Sequence, residues 1–473
     1  MGFLRDQIGQ WNYGQTKGET PAQTSVDSST QQPSTNSHVD VDPAHASRKM
    51  QASFYEAKVK LHQKLLSRLD LAAAETMSSE QLGLKLKDLI NKLIDEDALP
   101  VNNDERHQLI SDLQNEILGL GPIEPLLADP TVTEILVNGY DKVFIERRGQ
   151  LELVPIQFNN DEHLLRIIDK IVSRVGRRID ESSPMADARL PDGSRVNAII
   201  PPIALDGPTL SIRRFSVVPL KIDDLIKKHA LTKGMAEFLA AMVRAKTSIL
   251  ISGGTGSGKT TLLNILSCFI PEGERIITIE DTAELQLQQT HVVRLETRPQ
   301  NIEGKGEISM RALVRNSLRM RPDRIVLGEV RGGEVIDMLQ AMNTGHEGSL
   351  TTIHANTPRD ALSRLENLVT MGGVQMPIKT LRQQISSAIH IVIQTARLTD
   401  GSRKITSIQE ITGMEGDVIS MQEIFTYERT GTGSSGVVLG NFRATGVRPL
   451  VADRIKRWGI QLSEDLFQPG IVE

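Results

Sequence analysis

The chain has 473 residues, a formal net charge of −5, 39% hydrophobic and 24% charged residues, 3% aromatics and one cysteine, Cys268. A single cysteine excludes an internal disulfide and a cysteine-based zinc site, and it suits a reducing cytosol. The negative balance disfavours dedicated nucleic-acid binding, which calls for a basic surface, and the length allows roughly three domains of about 150 residues each, with aliphatic cores.

Met1–Asp6 lacks the apolar stretch of a signal peptide, and no apolar run approaches the length of a membrane span. The expectation is a cytoplasmic protein that works at a membrane only through partners. Residues 12–48 are rich in Ser, Thr, Gln, Pro and Asn without apolar periodicity, so segment 1–48 reads as disordered. Within it Phe3, Leu4, Ile8 and Trp11 form a short apolar pattern, either a docking helix or a frayed terminus.

Residues 49–120 read as a helical bundle. Leu61, Leu65 and Leu69 mark one helix. Ser78 with Gln81 gives a capping box ahead of Leu82, Leu86, Leu89, Ile90, Leu93 and Ile94. Leu109, Ile110, Leu113, Ile117 and Leu118 mark a third helix. Residues 121–218 become α+β, with strands over Glu134–Asn138, Val143–Arg147, Leu151–Pro155, Val196–Pro201 and Thr209–Phe215 and a helix over Asp161–Val175. Residues 219–245 are a helical linker.

From 246 to 473 strands and helices alternate, which signals a parallel sheet flanked by helices. The strands expected are Ser248–Ser252, Arg275–Glu280, Val292–Glu296, Arg324–Glu329, Ser349–His354 and Ile389–Thr395. A C-terminal extension carries β-like runs at Gly413–Asp417 and Ile424–Tyr427 and a turn at Gly431–Gly436.

Four elements carry chemistry. Residues 253–260, Gly253-Gly254-Thr255-Gly256-Ser257-Gly258-Lys259-Thr260, fit G-x-x-x-x-G-K-[ST], and Thr261 follows in the helix. An apolar strand precedes the loop and a helix follows it. The loop's N–H groups and the positive helix end suit phosphate, Lys259 reaches the β/γ-phosphates, and Thr260 holds Mg²⁺. ATP with Mg²⁺ is the expected ligand. Second, Ile277–Glu284 delivers acids to the carboxyl edge of the sheet, where Glu280 or Asp281 would serve Mg²⁺ or the attacking water, or merely cap the next turn. Third, Arg324–Arg331 leads apolar residues into Gly328-Glu329; with no Asp before it, Glu329 alone would serve the metal. Fourth, His346 and His354 bracket a short strand at a spacing unlike H-E-x-x-H, which favours phosphate sensing over a metal site. Outside this core, Arg195, Arg213 and Arg214 in the α+β domain are candidates to clamp the γ-phosphate, or plain solvated strand arginines; Arg294 is a further candidate.

Together these elements resemble the secretion ATPase superfamily of type II and type IV systems and type IV pili, with its Walker A loop, Asp box, Gly-Glu Walker B and His box. The likeness covers roughly residues 120–430. It implies an α/β fold in which a PAS-like α+β domain precedes a RecA-like P-loop domain, here behind an N-terminal helical bundle. It also implies a homo-hexameric ring and arginines that close over the nucleotide from the α+β domain. Ala188–Asn197, Ser211–Phe215 and Gly413–Asp417 look like the Tad/Flp pilus motors, and the four-cysteine zinc module of other branches is missing. The expectation is a hexameric ATP-hydrolysing motor, peripheral at the inner membrane, that drives pilus assembly or retraction through inner-membrane platform proteins. A conjugation-type secretion ATPase is the nearest alternative. A RecA-like DNA translocase is weaker, because no aromatic-plus-basic stacking surface stands out, and Glu329 argues against a scaffold that binds ATP without turnover.

Overall fold

The computed structural model describes residues 57–69 and 77–472, apart from 148, 215–219, 299, 301–304 and 434–435. The Phe3–Trp11 pattern and the Ser/Thr/Gln-rich segment lie outside the described residues. Three helices come first: α1 (57–68), α2 (Ser79–Glu96) and α3 (Asn103–Leu118). Ser78 and Gln81 do form the capping box that starts α2, and a second one, Asn102 with Glu105, starts α3. Their apolar stripes meet in one cluster in which Leu61, Leu65, Leu86, Ile90, Leu109 and Leu113 are wholly buried.

Next stands an antiparallel sheet of β1 (Val132–Asn138), β2 (Val143–Arg147), β3 (Gln150–Val154), β4 (Met185–Arg189), β5 (Arg195–Ile199) and β6 (Thr209–Arg213). The spatial order is β3-β2-β1-β6-β5-β4. Helix α4 (Asp161–Arg174) covers one face, and Ile135, Val196, Leu210 and Ile212 point at it. Side chains alternate along a strand, so Arg195 and Arg213 fall on the opposite face. The Met-Ala-Asp-Ala-Arg sequence of β4 lacks the β-branched run that marks a strand, and no strand was expected there.

The larger sheet has ten strands. Its parallel half holds β7 (Ile249–Gly253), β8 (Ile276–Glu280), β9 (Val292–Glu296), β10 (Arg324–Leu327), β11 (Leu350–His354) and β12 (Ile391–Arg397), in the order β12-β7-β11-β10-β8-β9. β7, β8 and β10 are buried throughout, as strands covered on both faces should be. Helices α5 (Lys233–Arg244) and α6 (Lys259–Ser267) pack on one face, and Met310–Ser317, Glu334–Asn343, Pro358–Met371 and Ile378–Ala388 pack on the other. The antiparallel half is β13 (Arg403–Glu415), β14 (Val418–Thr432), β15 (Val438–Ala444) and the two-residue β16 (Gly470–Ile471). β13 and β14 run far beyond the short segments the sequence suggested. Phe425 on β14 packs with Phe238 on α5 at 5.8 Å between ring centroids, which fastens the extension to the core. Among the described residues no helix is long and apolar enough to cross a membrane.

Candidate nucleotide site

The loop between β7 and α6 is shaped by its glycines. Gly256 and Gly258 take φ of +68° and +96°, where a side chain is strained. A Cβ on Gly253 would lie 2.6 Å from Thr395 O, so only glycine fits against β12. Ser257 Oγ, 2.9 Å from Gly254 O, also lies 2.9 Å from Thr395 Oγ1, tying the loop to that strand. Lys259 Nζ donates to Gly254 O at 2.8 Å and so spans the loop's mouth. Burial lowers its pKa, the Glu329 carboxylate raises it, and the Arg213 and Arg331 cations lower it.

Two acids stand at neighbouring strand ends. Glu280 is 3% exposed at the end of β8. Its Oε1 accepts the N–H groups of Glu284 and Leu285 at 2.8 and 3.0 Å, while Oε2 is buried and has no hydrogen-bond partner among the described residues. Burial outweighs those bonds and pushes its carboxyl up to about 7. Gly328 follows β10, where a Cβ would lie 3.0 Å from Glu280 Cγ; the close approach of Glu280 explains glycine at this position. Glu329 is not a lone strand-end acid, because Arg331 donates to its Oε2 through Nη2 at 2.7 Å and Nε at 3.0 Å. Arg331 Nη1 also reaches Asp281 Oδ2 at 3.4 Å.

The small sheet supplies the other wall. Five charged residues follow one another across it in register: Arg189 opposite Arg195, Arg195 opposite Arg213, Arg213 opposite Glu134, and Glu134 opposite Glu146. The arginine end of this row overlies the phosphate loop. Arg195 has Asp187 at 3.7 Å and Arg213 has Glu134 at 3.8 Å, both too long for good hydrogen bonds. Arg189 bridges to the larger sheet, with Nη1 at 3.1 Å from Glu296 and Nη2 donating to Ala283 O at 3.4 Å.

Arg195, Arg213, residues 255–261, Glu280, Glu329 and His354 line one cleft of about 200 Å³, which opens into a wider interdomain cleft of about 1300 Å³. Gly253 and Gly254 form the loop's base behind it. The structure does not bring the remaining candidates together with these. His346 precedes β11 at the amino edge of the sheet, where its N–H donates to Ala341 O. His354 ends the same strand at the carboxyl edge, beside Gly253. Arg214 borders the wider cleft, but its guanidinium is held by the carbonyls of Asp129 and, at 3.1 Å, Val132. Arg294 lies on β9 opposite Thr278, outside the 200 Å³ cleft, and contributes only a favourable field at Glu280. Three arginines escaped the sequence reading: Arg331, two residues beyond Glu329, and Arg397 and Arg403, whose only sequence signal is that they bracket the turn after β12.

Phosphate fits the cleft. The glycine-shaped loop, the first turn of α6, Lys259 and two arginines that among the described residues have no counter-ion at hydrogen-bonding distance suit an anion. Among the described residues no cluster of three or more His, Cys, Asp or Glu could hold a metal alone. Mg²⁺ commonly rests on one or two protein oxygens and substrate phosphates. Thr260 Oγ1 and Glu329 fit that role. Glu280, with one oxygen already taken by backbone and a raised pKa, fits a proton acceptor better.

The family model described as "Type II/IV secretion system protein" matches residues 116–435. A putative conjugal transfer protein of Mycobacterium tuberculosis is 38% identical over 312 residues, spanning 65% of this chain and 88% of the relative. Conjugal transfer protein TrbB of Rhizobium radiobacter is 33% identical over 294 residues, 61% of this chain and 86% of the relative. The crystal structure of the VirB11 ATPase from the Brucella suis type IV secretion system, in complex with sulphate, aligns at 30% identity. It covers 61% of this chain and 94% of that one, with a TM-score of 0.34.

Proposed function

The chain belongs to the type II/IV secretion system protein family, and on that premise we propose that it is a Mg²⁺-dependent ATPase whose hydrolysis drives a membrane-bound secretion or pilus machine. The observation that carries this reading is the apposition of Arg195 and Arg213, on the small sheet, to the phosphate loop of the large one. In this account the loop and Lys259 hold the β- and γ-phosphates, and Thr260 and Glu329 would hold the metal, which neutralises phosphate charge when bound. Glu280 takes a proton from the attacking water, His354 hydrogen-bonds at the γ-phosphate end, and the two arginines stabilise the charge that spreads over the transferring phosphoryl group. Losing that group removes what holds the arginines down, so hydrolysis moves one domain against the other.

The motor works as a homo-hexameric ring, cytoplasmic and held at the inner membrane by platform proteins. Two machines remain open to it. The relatives named above favour conjugal transfer, and the motif likeness at Ala188–Asn197 favours a Tad/Flp pilus. The test is phosphate release by the full chain. Lys259→Ala should abolish both ATP binding and turnover, whereas Glu329→Gln should retain ATP and lose turnover. A Lys259→Ala variant that hydrolyses ATP at the parent rate sinks the reading. Stimulation of turnover by single-stranded DNA that fades with salt would favour a nucleic-acid translocase instead.

A further inference from the structure

The strands β12 and β13 are joined by a tight hairpin in which Arg397 stands directly opposite Arg403. Like charges placed so repel unless something holds them. Here each is held by a different domain. Arg403 Nε donates to Gly256 O, inside the phosphate loop, at 2.8 Å. Arg397 Nη2 donates to Gly149 O, in the β2–β3 turn of the small sheet, at 2.7 Å, with Glu146 Oε1 at 3.9 Å. Gly149 has φ of +81°, so its carbonyl is aimed by a turn that most residues cannot adopt. Both side chains lie within ordinary van der Waals reach of the loop's glycines: a Cβ at Gly258 would lie 3.5 Å from Arg403 Cδ, and one at Gly256 would lie 3.6 Å from Arg397 Nη1. Among the described residues neither arginine has an ion pair at hydrogen-bonding distance.

We propose that the Arg397–Arg403 hairpin is a relay: Arg403 braces the phosphate loop at Gly256, and Arg397 passes the loop's state to the Gly149 turn of the α+β domain. Both are positioning residues. Phosphate bound by the loop's N–H groups repositions Gly256 O, and the acceptor of Arg403 moves with it. The hairpin is short and its two strands are hydrogen-bonded, so a shift at Arg403 is a shift at Arg397. This route joins the domains within the same wider cleft, at the Glu146 end of the row whose other end carries Arg213 and Arg195, and it acts whether or not those arginines engage phosphate.

The inference rests on the phosphate loop binding nucleotide, and the test separates the two. A fluorescent, non-hydrolysable ATP analogue is titrated into the full chain, and amide hydrogen exchange across residues 143–154 is followed with the analogue at saturation. In the parent protein the analogue binds and slows exchange in that hairpin. Arg403→Ala weakens analogue binding about tenfold, and Arg403→Lys, which keeps a donor and a charge, recovers most of the loss. Arg397→Ala, or Arg397→Gln should the alanine variant fold poorly, loses the analogue-dependent protection of 143–154 at saturation. Parent-like protection in both Arg397 variants, or parent-like affinity in Arg403→Ala, overturns the relay while leaving the ATPase reading intact. No binding by the parent protein overturns both.

Discussion

Arg195 on β5 stands directly opposite Arg213 on β6, and both side chains line the cleft above the phosphate loop. Such a like-charge pair costs the empty protein stability, on the order of 0.2–1 kcal/mol. We therefore expect Arg213→Ala to leave the nucleotide-free protein as stable as the parent or slightly more so, while the thermal stabilisation gained from saturating ATP analogue shrinks. Differential scanning calorimetry with and without the analogue measures both. A variant that loses stability when empty would mean the pair serves the fold.

Glu280 provides a pH test. Its carboxyl is raised from 4.5 to about 7, mainly by burial. The folded chain thus binds a proton that the unfolded chain releases between those values. The stability from this group is full below pH 4.5 and is lost as pH rises through 7, a slope worth about 3 kcal/mol at most. Urea midpoints at pH 5 and pH 8 should show this slope in the parent and lose it in Glu280→Gln. Turnover should move the other way, rising as the carboxyl ionises near pH 7, because only the carboxylate accepts a proton.

How far the sequence revealed this site depended on whether one residue's chemistry or another chain segment set the position. The strand–loop–helix at Ile249–Ser267 was legible because apolar β-branched residues, glycines and Lys-Thr each obey a local rule. His346 and His354 looked alike because they flank one strand, but a parallel strand's two ends lie on opposite sheet edges, and only His354 reaches the loop. Arg213 and Arg214 looked equivalent for the opposite reason: neighbours in extended chain point to opposite faces, so Arg214 is spent on carbonyls. Arg397 and Arg403 were invisible because their partners, Gly149 and Gly256, lie 248 and 147 residues away.

Gly328 is a packing requirement, since a Cβ there would meet Glu280 Cγ at 3.0 Å. Gly328→Ala should cost roughly 1–3 kcal/mol by overpacking and lower turnover by displacing Glu280. Chemical denaturation and initial rates check the two effects. Parent-like values in both would remove the steric explanation for the missing Walker B aspartate.

Arg324 is wholly buried and forms a two-pronged pair with Glu274, Nε and Nη2 at 2.7 and 2.9 Å. Removing the acid strands a buried cation, so Glu274→Ala should cost about 3–5 kcal/mol. A large loss of urea stability is expected, with nucleotide affinity near normal in the fraction that folds.

The most direct measurement is the initial rate of phosphate release by the full chain at saturating ATP, comparing the parent with Arg195→Ala/Arg213→Ala. Arginines that stabilise phosphoryl transfer are worth roughly 10³–10⁵ in rate, so the account predicts a fall in kcat of at least about 100-fold with the phosphate loop intact. A rate within twofold of the parent would contradict it, and would leave the two arginines as solvated members of an antiparallel sheet.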